Sequence, residues 1–218
     1  MNATAPSAVD RRGRSGLRQA IAAVAVLALL AAMALNTRVV AIGSAGDVQP
    51  GIFSAAQFGH DNFPKVQSAI ISRAVDAATL AAAIAQDRAA AEKKYGVASG
   101  VGPEISVTFT GVAGSQDSGI YSVAVQGVPA TVAIHLQTGP AINGTDLRDA
   151  TGTISFGQFS NQIEYQNAAS ALNKEMKRQV LSKVDTGKLS GKTIAVVGVF
   201  QLVNAGDWLV TPVKLEVR

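Results

Sequence analysis

The chain has 218 residues, of which 48% are apolar and 16% charged, no cysteine, and a formal net charge of +4. Four arginines before residue 20 carry most of that excess, so the rest of the chain, with 15 basic and 14 acidic residues, is nearly neutral. A nearly neutral body with 5% aromatic residues argues against a nucleic-acid binder, and the lack of cysteine excludes disulfides, thiolate metal sites and a lipid carried on cysteine.

An apolar segment near the N-terminus predicts export. The run Ala20–Leu35 has 16 residues without a polar side chain and follows the four arginines. Positive charge ahead of a first apolar helix keeps that end in the cytoplasm, so the rest of the chain is expected on the outer side of the inner membrane, facing the periplasm. The run is shorter than the roughly 20 residues of a typical spanning helix, and Ala32-Met33-Ala34 has the small-x-small pattern of a cleavage site. Residues 1–42 are therefore predicted to be an uncleaved anchor, which we favour, or a cleaved signal that leaves a soluble periplasmic protein.

The next two segments are predicted to be a linker and an alanine-rich helix. Residues 43–62 are rich in Gly, Ala, Ser and Gln and show no hydrophobic period, which is typical of a linker that docks, if at all, by its phenylalanines. A helix is predicted over residues 63–95, because Asp61 or Asn62 can cap it, Pro64 suits its first turn and Gly96 suits the position beyond its end. Its apolar side is mostly alanine, so it can approach a neighbour closely while burying little area.

Residues 96–218 predict a β domain. Alternating apolar and polar residues indicate strands at 105–109, 120–125 and 132–136. A helix from Gln162 to about Val184 follows, and then strands at 193–202 and 208–217. Three strands, a helix and two strands is the chain path of an OB-type barrel, so the predicted fold class is α+β, with an OB-like five-stranded antiparallel barrel and a helix between its third and fourth strands. A plain antiparallel sheet with one helix is the alternative.

The sequence carries none of the common catalytic signatures. It has no G-x-S-x-G, P-loop, G-x-G-x-x-G or H-E-x-x-H pattern. Its two histidines, His60 and His135, fall in the predicted linker and a predicted strand, where a structural role is expected. We therefore expect no catalysis, no metal site and no cofactor.

A polar segment between the third strand and the second helix holds the candidate binding residues. Amides, carboxylates and one guanidinium lie there beside Phe159, a combination that suits a polar uncharged ligand such as a sugar. The predicted ligand- or partner-binding residues are Asn143, Thr145, Arg148, Asp149, Asn161, Gln162 and Glu164. A structural interpretation stays open, because Asn161 and Glu164 have the spacing of a capping box and Arg148 can brace its loop through Asp146 or Asp149.

Three stretches of this sequence resemble a known family. They are LQTGPAINGTDLRDA (136–150), FSNQIEYQNAASALN (159–173) and VTPVKLEV (210–217). They resemble a bacterial family of predicted periplasmic lipoproteins of unknown function, often encoded beside sugar ABC transporters, over about Tyr95–Arg218. The resemblance implies a periplasmic location and a sugar ABC transporter as partner. The lipoprotein label requires a cysteine after the signal, which this chain lacks, so attachment to the membrane would depend on Ala20–Leu35.

These observations favour a membrane-tethered extracytoplasmic binding or accessory protein associated with a sugar ABC transporter. The alternative is a protein–protein interaction module of the cell envelope with no small-molecule ligand. A third interpretation, a hydrolase with Asp149 and Glu164 as acid and base, requires a separation between the two carboxyl groups that the sequence does not give.

Overall fold

The computed structural model describes residues 11–36 and 53–218, and the chain divides into two units, residues 1–52 and 53–218. The first unit contains helix α1 (Arg11–Asn36), whose side chains are exposed from residue 18 to residue 35. Its segment Arg18–Leu35 is long and apolar enough to cross a membrane, a property that signal sequences share. The predicted linker residues 43–52 lie outside the described residues.

The second unit contains five helices and seven strands. The helices are α2 (Ala55–Arg73), α3 (Ala77–Gln86), α4 (Arg88–Tyr95), α5 (Asp146–Asp149) and α6 (Gln162–Gln179). The strands are β1 (Val75–Asp76), β2 (Gly96–Val97), β3 (Glu104–Asp117), β4 (Ile120–Val125), β5 (Ala133–Gln137), β6 (Thr193–Gln201) and β7 (Asp207–Val217). The five longer strands and α6 lie close to the predicted positions.

The five longer strands pair in a ring, in the order β3-β4-β5-β7-β6, and β6 pairs back with β3. The short strands β1 and β2 also pair with β3, so the sheet is not a plain five-stranded barrel. The prediction of an antiparallel barrel is wrong in one respect, because β5 and β7 run parallel. Since five is an odd number, strand direction cannot alternate all the way around a ring of five, and one neighbouring pair must be parallel.

Strand β3 reaches both of its main neighbours by changing partner along its length. Residues 104–112 pair with β6 and residues 111–117 pair with β4, so Gly111 belongs to both ladders. A Cβ atom at Gly111 would lie 2.6 Å from the backbone oxygen of Ala124, closer than real contacts allow. Glycine therefore lets the strand turn the corner where the ring closes.

The predicted single helix over residues 63–95 is wrong, because three helices occupy this region. Helix α2 begins at Ala55, where the Ser54 hydroxyl accepts a hydrogen bond from the backbone N–H of Gln57 (3.3 Å). Residues 55–62 are therefore helical rather than linker, and Pro64 lies inside the helix. The chain then forms β1, and the carboxylates of Asp76 and Asp87 cap α3 and α4.

Helices α2 and α6 pack against each other on one side of the sheet. A Cβ atom at Gly59 of α2 would lie 2.7 Å from the backbone oxygen of Ala171 of α6, so the two helices approach closely there. The core beneath them is apolar and fully buried, and its largest members include Phe63, Ile70, Leu80, Ile105, Leu136, Leu172, Met176, Phe200 and Trp208. The helical segment and the predicted β domain thus share one core and form one compact unit from Phe53 to Arg218.

Candidate functional site: a polar cavity beside Arg148

Helix α6 holds the polar segment that carries the candidate residues. The side-chain amide of Asn173 donates hydrogen bonds to the backbone oxygens of Ile142 (3.2 Å) and Gly144 (2.8 Å). One turn later, the Lys177 ammonium donates to the backbone oxygen of Pro140 (2.6 Å). The sequence pattern places Asn173 on the polar side of the helix, but the structure buries it. These bonds fix the chain leading into α5, the short helix that follows Thr145.

Arg148 of α5 is 8% exposed and forms a bidentate ion pair with Asp149. Its Nε and Nη2 donate to Oδ1 and Oδ2 of Asp149 at 2.7 and 2.9 Å. The guanidinium also lies 3.7 Å from the centre of the Tyr165 ring, and Nη1 donates to the backbone oxygen of Tyr165 (3.4 Å). These bonds use three of the five N–H groups of the guanidinium and hold its plane in one orientation.

Aromatic rings connect this ion pair to the start of α2. The Tyr165 ring contacts Phe156 and Phe159, with ring centres 5.7 and 5.3 Å apart. Phe159 in turn contacts Phe53 and Phe58 at 5.4 and 5.5 Å. Phe53 and Phe58, predicted to lie in the linker, therefore dock by their rings onto the segment that precedes α6.

A cavity of about 510 Å³ opens beside Arg148, and we call it the Arg148 cavity. Its polar lining includes Ser99, Thr145, Arg148, Asp149 and Gln201. Its apolar lining includes Val101, Ile154 and Phe156, and the Tyr165 ring lies against the guanidinium. Charged and hydroxyl groups thus share the cavity with aromatic surface.

The structure brings together only part of the predicted set. Thr145, Arg148 and Asp149 line the Arg148 cavity, whereas Asn143 lines a second cavity of about 560 Å³. We call this one the Asn143 cavity, and Gln201 lines both. The two cavities are therefore neighbours.

The other predicted residues lie at the start of α6. The side-chain oxygen of Asn161 accepts a hydrogen bond from the backbone N–H of Glu164 (2.9 Å), and Glu164 Oε2 accepts one from the backbone N–H of Ser160 (2.9 Å). This pair of bonds is a variant of the capping box considered for these two residues, in which Glu164 accepts from the residue before the N-cap Asn161. Gln162 is exposed in the first turn of the same helix.

Sequence reasoning missed Glu104, an acid buried close to both cavities. It is 1% exposed, and neither carboxyl oxygen has a hydrogen-bond partner within the described part of the chain. Burial, followed by the charges of Asp146 and Asp149, raises the pKa of Glu104 to about 9, so the carboxyl is protonated at neutral pH. Alternation with Ser106 and Thr108 suggests a solvent-facing position for Glu104, and no local signal in the sequence reveals its burial.

Asp146 is a second acid near Glu104, and it is half-buried. Its Oδ2 accepts a hydrogen bond from the Thr211 hydroxyl (2.7 Å), and that hydroxyl accepts one from the Gln137 amide (3.0 Å). Burial is the largest effect on Asp146 and raises the pKa of its carboxyl. The Thr211 hydroxyl acts in the opposite direction, because it stabilises the anion.

Neither histidine lines the Arg148 cavity or the Asn143 cavity, although Asp207, the neighbour of His135, lines the Asn143 cavity. His60 lies on α2 next to Asp61, and Nε2 of His135 is 3.5 Å from Oδ1 of Asp207 on the sheet. Across residues 11–36 and 53–218, no group of three or more His, Cys, Asp or Glu side chains is arranged to hold a metal ion.

Comparison with known proteins identifies a solved structure with a similar fold and a family model that matches this sequence. An OB-fold protein from Thermotoga maritima of known crystal structure superposes with a TM-score of 0.60 at 20% identity, covering 76% of this chain and 99% of that chain. At this identity the likeness supports the fold alone. No curated protein gives a significant match. A family model described as "Predicted periplasmic lipoprotein (DUF2291)" matches residues 23–216. Because that match spans nearly the whole sequence, the chain belongs to this family of predicted periplasmic lipoproteins.

Proposed function

We propose that this protein is a non-catalytic binding or accessory protein of the periplasm, held at the inner membrane by Ala20–Leu35, and that its Arg148 cavity takes a small polar ligand such as a sugar. The family description and the apolar helix α1 agree with a membrane-anchored or periplasmic protein. The cavity itself is the observation that carries the binding proposal.

The size and lining of the cavity support a small ligand. Its volume of about 510 Å³ lies within the roughly 300–1,000 Å³ range of small-molecule sites. Arg148 keeps two N–H groups beyond those bonded to Asp149 and Tyr165, and the Thr145 and Ser99 hydroxyls can donate or accept. Fixed donors and acceptors beside the Phe156 ring match the alternating hydroxyl and C–H surface of a sugar.

Two contacts favour binding over hydrolysis. A hydrolase would need Asp149 and Glu164 free to act as acid and base. Asp149 is paired through both oxygens with Arg148, and Glu164 is held in the capping box. Each carboxylate therefore already has a structural partner.

The proposed partner is a sugar ABC transporter, and this part of the proposal rests on the family resemblance. A strain that lacks this gene should take up the relevant sugar more slowly at low concentration, and restored expression should reverse the defect. Unchanged uptake of every sugar whose transporter genes lie nearby would contradict the partnership.

Ligand binding can be tested on the full chain in mild detergent. We expect one or more members of a panel of pentoses, hexoses and disaccharides to raise the unfolding temperature of the wild-type protein. The same sugar should have a smaller effect on Arg148→Lys, because lysine lacks the planar fork of arginine and binds the ligand more weakly. Glu216→Gln, which removes a charge from an exposed surface pair with Lys214, is the matched control and should respond like wild type. A panel without any stabilising sugar would contradict the sugar proposal.

A protein–protein interaction module is the second candidate, and the exposed apolar residues favour it. Val101 and Phe156 are 81% and 50% exposed at the rim of the cavity, and Ile163 of α6 is 72% exposed. If these side chains dock a protein, Val101→Ser with Phe156→Ser should abolish cross-linking to that partner in cells and leave the unfolding temperature unchanged. Loss of sugar response in the same variant would instead place the two residues in the ligand site.

A further inference from the structure

We propose that the ligand of this protein carries a primary ammonium group and that this group binds between Glu104 and Asp146, at the wall shared by the Arg148 and Asn143 cavities. The inference rests on the proposed function, because it names the chemical class of ligand for the same site. It predicts an amino sugar or amino polyol rather than a neutral sugar.

The strand register places Glu104 at this wall. Glu104 of β3 lies directly opposite Gln201 of β6, and residues opposite each other in a sheet project their side chains from the same face. Gln201 lines both cavities. Ser99, which accepts a hydrogen bond from the Gln201 amide (3.5 Å), also lines the Arg148 cavity. Glu104 lines neither cavity itself and lies behind the lining that they share, so a ligand must displace part of that lining to reach its carboxyl.

The charges at this wall do not balance. Three carboxyl groups lie within electrostatic reach of one another, Glu104, Asp146 and Asp149. The nearby cation, Arg148, is bonded through two nitrogens to Asp149. Glu104 and Asp146 form no ion pair with any residue in the described ranges. Both carry raised pKa values, and the proton on Glu104 occupies a position that a cation would fill.

An ammonium group complements these acidic side chains better than a hydroxyl group or a metal ion does. A neutral hydroxyl could bond to the protonated Glu104 but would leave Asp146 without a cationic partner. A metal ion would need a cluster of ligands that the described residues do not form. An ammonium has three N–H donors, enough for Glu104, Asp146 and one hydroxyl.

Binding of the ammonium changes the protonation of Glu104. The neutral carboxyl loses its proton to solvent, and the resulting carboxylate pairs with the ammonium, which keeps all three of its hydrogens. The net change is one proton released for each ligand bound. Affinity should therefore rise with pH, by up to about tenfold per pH unit, as long as the ligand stays protonated and Glu104 is protonated in the free protein.

Sorbitol and glucamine provide a matched pair of probes, because glucamine is sorbitol with one terminal hydroxyl replaced by a primary amine. The full chain in mild detergent should bind glucamine at least about tenfold more tightly than sorbitol near pH 7. The preference should increase between about pH 6 and about pH 8, where an alkylamine with a pKa near that of lysine stays charged. Calorimetry in two buffers of different ionisation enthalpy should report close to one proton released with glucamine and none with sorbitol.

Substitution of Glu104, which the proposal makes the anionic partner of the ammonium, completes the test. Glu104→Gln should bind glucamine and sorbitol equally and release no proton, whereas Glu216→Gln should keep the preference. If Glu104→Gln does not unfold cooperatively, Asp146→Asn makes the same comparison and should lose most of the preference. Equal binding of the two probes by the wild-type protein would overturn the ammonium site and leave the sugar proposal intact. Failure of both probes, together with the whole sugar panel, would overturn both proposals.

Discussion

Arg148 is expected to have both a structural role and a binding role. Its ion pair with Asp149 and its contact with the Tyr165 ring brace the segment before α6, and the residue also lines the Arg148 cavity. Arg148→Ala should lower the free energy of unfolding by roughly 2–5 kcal/mol, because it leaves a largely buried carboxylate unpaired. Arg148→Lys should keep most of that stability yet weaken ligand binding by about tenfold or more. Urea unfolding and ligand titration on both variants measure the two effects separately.

Asp149, the ion-pair partner of Arg148, supplies the control for the stability prediction. In Arg148→Ala with Asp149→Ala no carboxylate is left unpaired, so the double variant should recover part of the lost stability. Ligand binding by Arg148→Ala that equals that of the wild type would remove Arg148 from the binding site. In that case the residue is a brace alone.

Glu104 should make stability depend on pH. Its pKa in the folded protein is about 9, above the value of about 4.5 expected in the unfolded chain. Between these values the folded protein holds a proton that the unfolded chain releases, so stability falls as pH rises through this range. Glu104→Gln removes that dependence, and its advantage over wild type should grow from near zero around pH 5 to a few kcal/mol around pH 9.

Thermal or urea unfolding at several pH values checks the Glu104 prediction. Asp146 also has a raised pKa, so the glutamine variant should keep a smaller slope of its own at the acid end of the range. The surface substitution Glu216→Gln should follow the wild-type curve. A constant difference between wild type and Glu104→Gln across the range would mean that the carboxyl has the same pKa in both states.

At the scale of elements, α6 connects the core to the site. Its buried side includes Leu172 and Met176, each 0% exposed, while Asn173 and Lys177 hold the loop before α5. Leu172→Ala should therefore cost about 2–5 kcal/mol of unfolding free energy. Circular dichroism and urea unfolding measure this cost, and a loss below about 0.5 kcal/mol would mean that the side chain is not in the core. Lys174→Ala, on the exposed side of the same helix, should be nearly neutral.

Local sequence signals were sufficient for the five longer strands and for α6, but not for β1 and β2. Alternation at residues 120–125 and the spacing of Leu172, Met176 and Val180 encode a sheet face and a helix face directly. The break at Val75–Asp76 was missed because alanines keep the helical period across it, and the pairing of these two residues with Val107 and Thr108 is a long-range contact. Asp76 and Asp87, both residues that favour helix caps, were the available signals for the starts of α3 and α4.

The candidate site was predictable only where its residues are consecutive or nearly so. Arg148 and Asp149 lie on one short helix and Thr145 directly precedes it, so one segment of sequence brings them together. Glu104 and Gln201 join them through the pairing of β3 with β6, which are about a hundred residues apart. Asn161 and Glu164 have the same polar character as true ligands, and only the structure shows that both serve the end of a helix.

For the molecule as a whole, the boundary of the folded unit lies earlier than the sequence suggested. The sequence interpretation starts it near Asn62, whereas the compact unit begins at Phe53. The rings of Phe53 and Phe58 contact Phe159, and Gly59 packs against α6. A fragment of residues 53–218 should therefore unfold at a higher temperature than one of residues 62–218. Calorimetry on both fragments tests this, and equal unfolding temperatures would show that residues 53–61 contribute no stability.

Attachment to the membrane is the prediction that concerns the whole molecule in the cell. The chain has no cysteine to carry a lipid, so a tether would have to be α1 itself. The apolar segment Arg18–Leu35 has 18 residues, and at 1.5 Å per residue it spans about 27 Å, close to the roughly 30 Å hydrocarbon core. We expect the protein in the membrane fraction with its N-terminus uncleaved, as determined by fractionation and N-terminal sequencing. Ala34→Leu, which removes a small residue from the cleavage pattern, should change nothing if α1 is an anchor. A soluble wild-type protein that starts at Leu35, together with membrane retention of Ala34→Leu, would identify α1 as a cleaved signal instead.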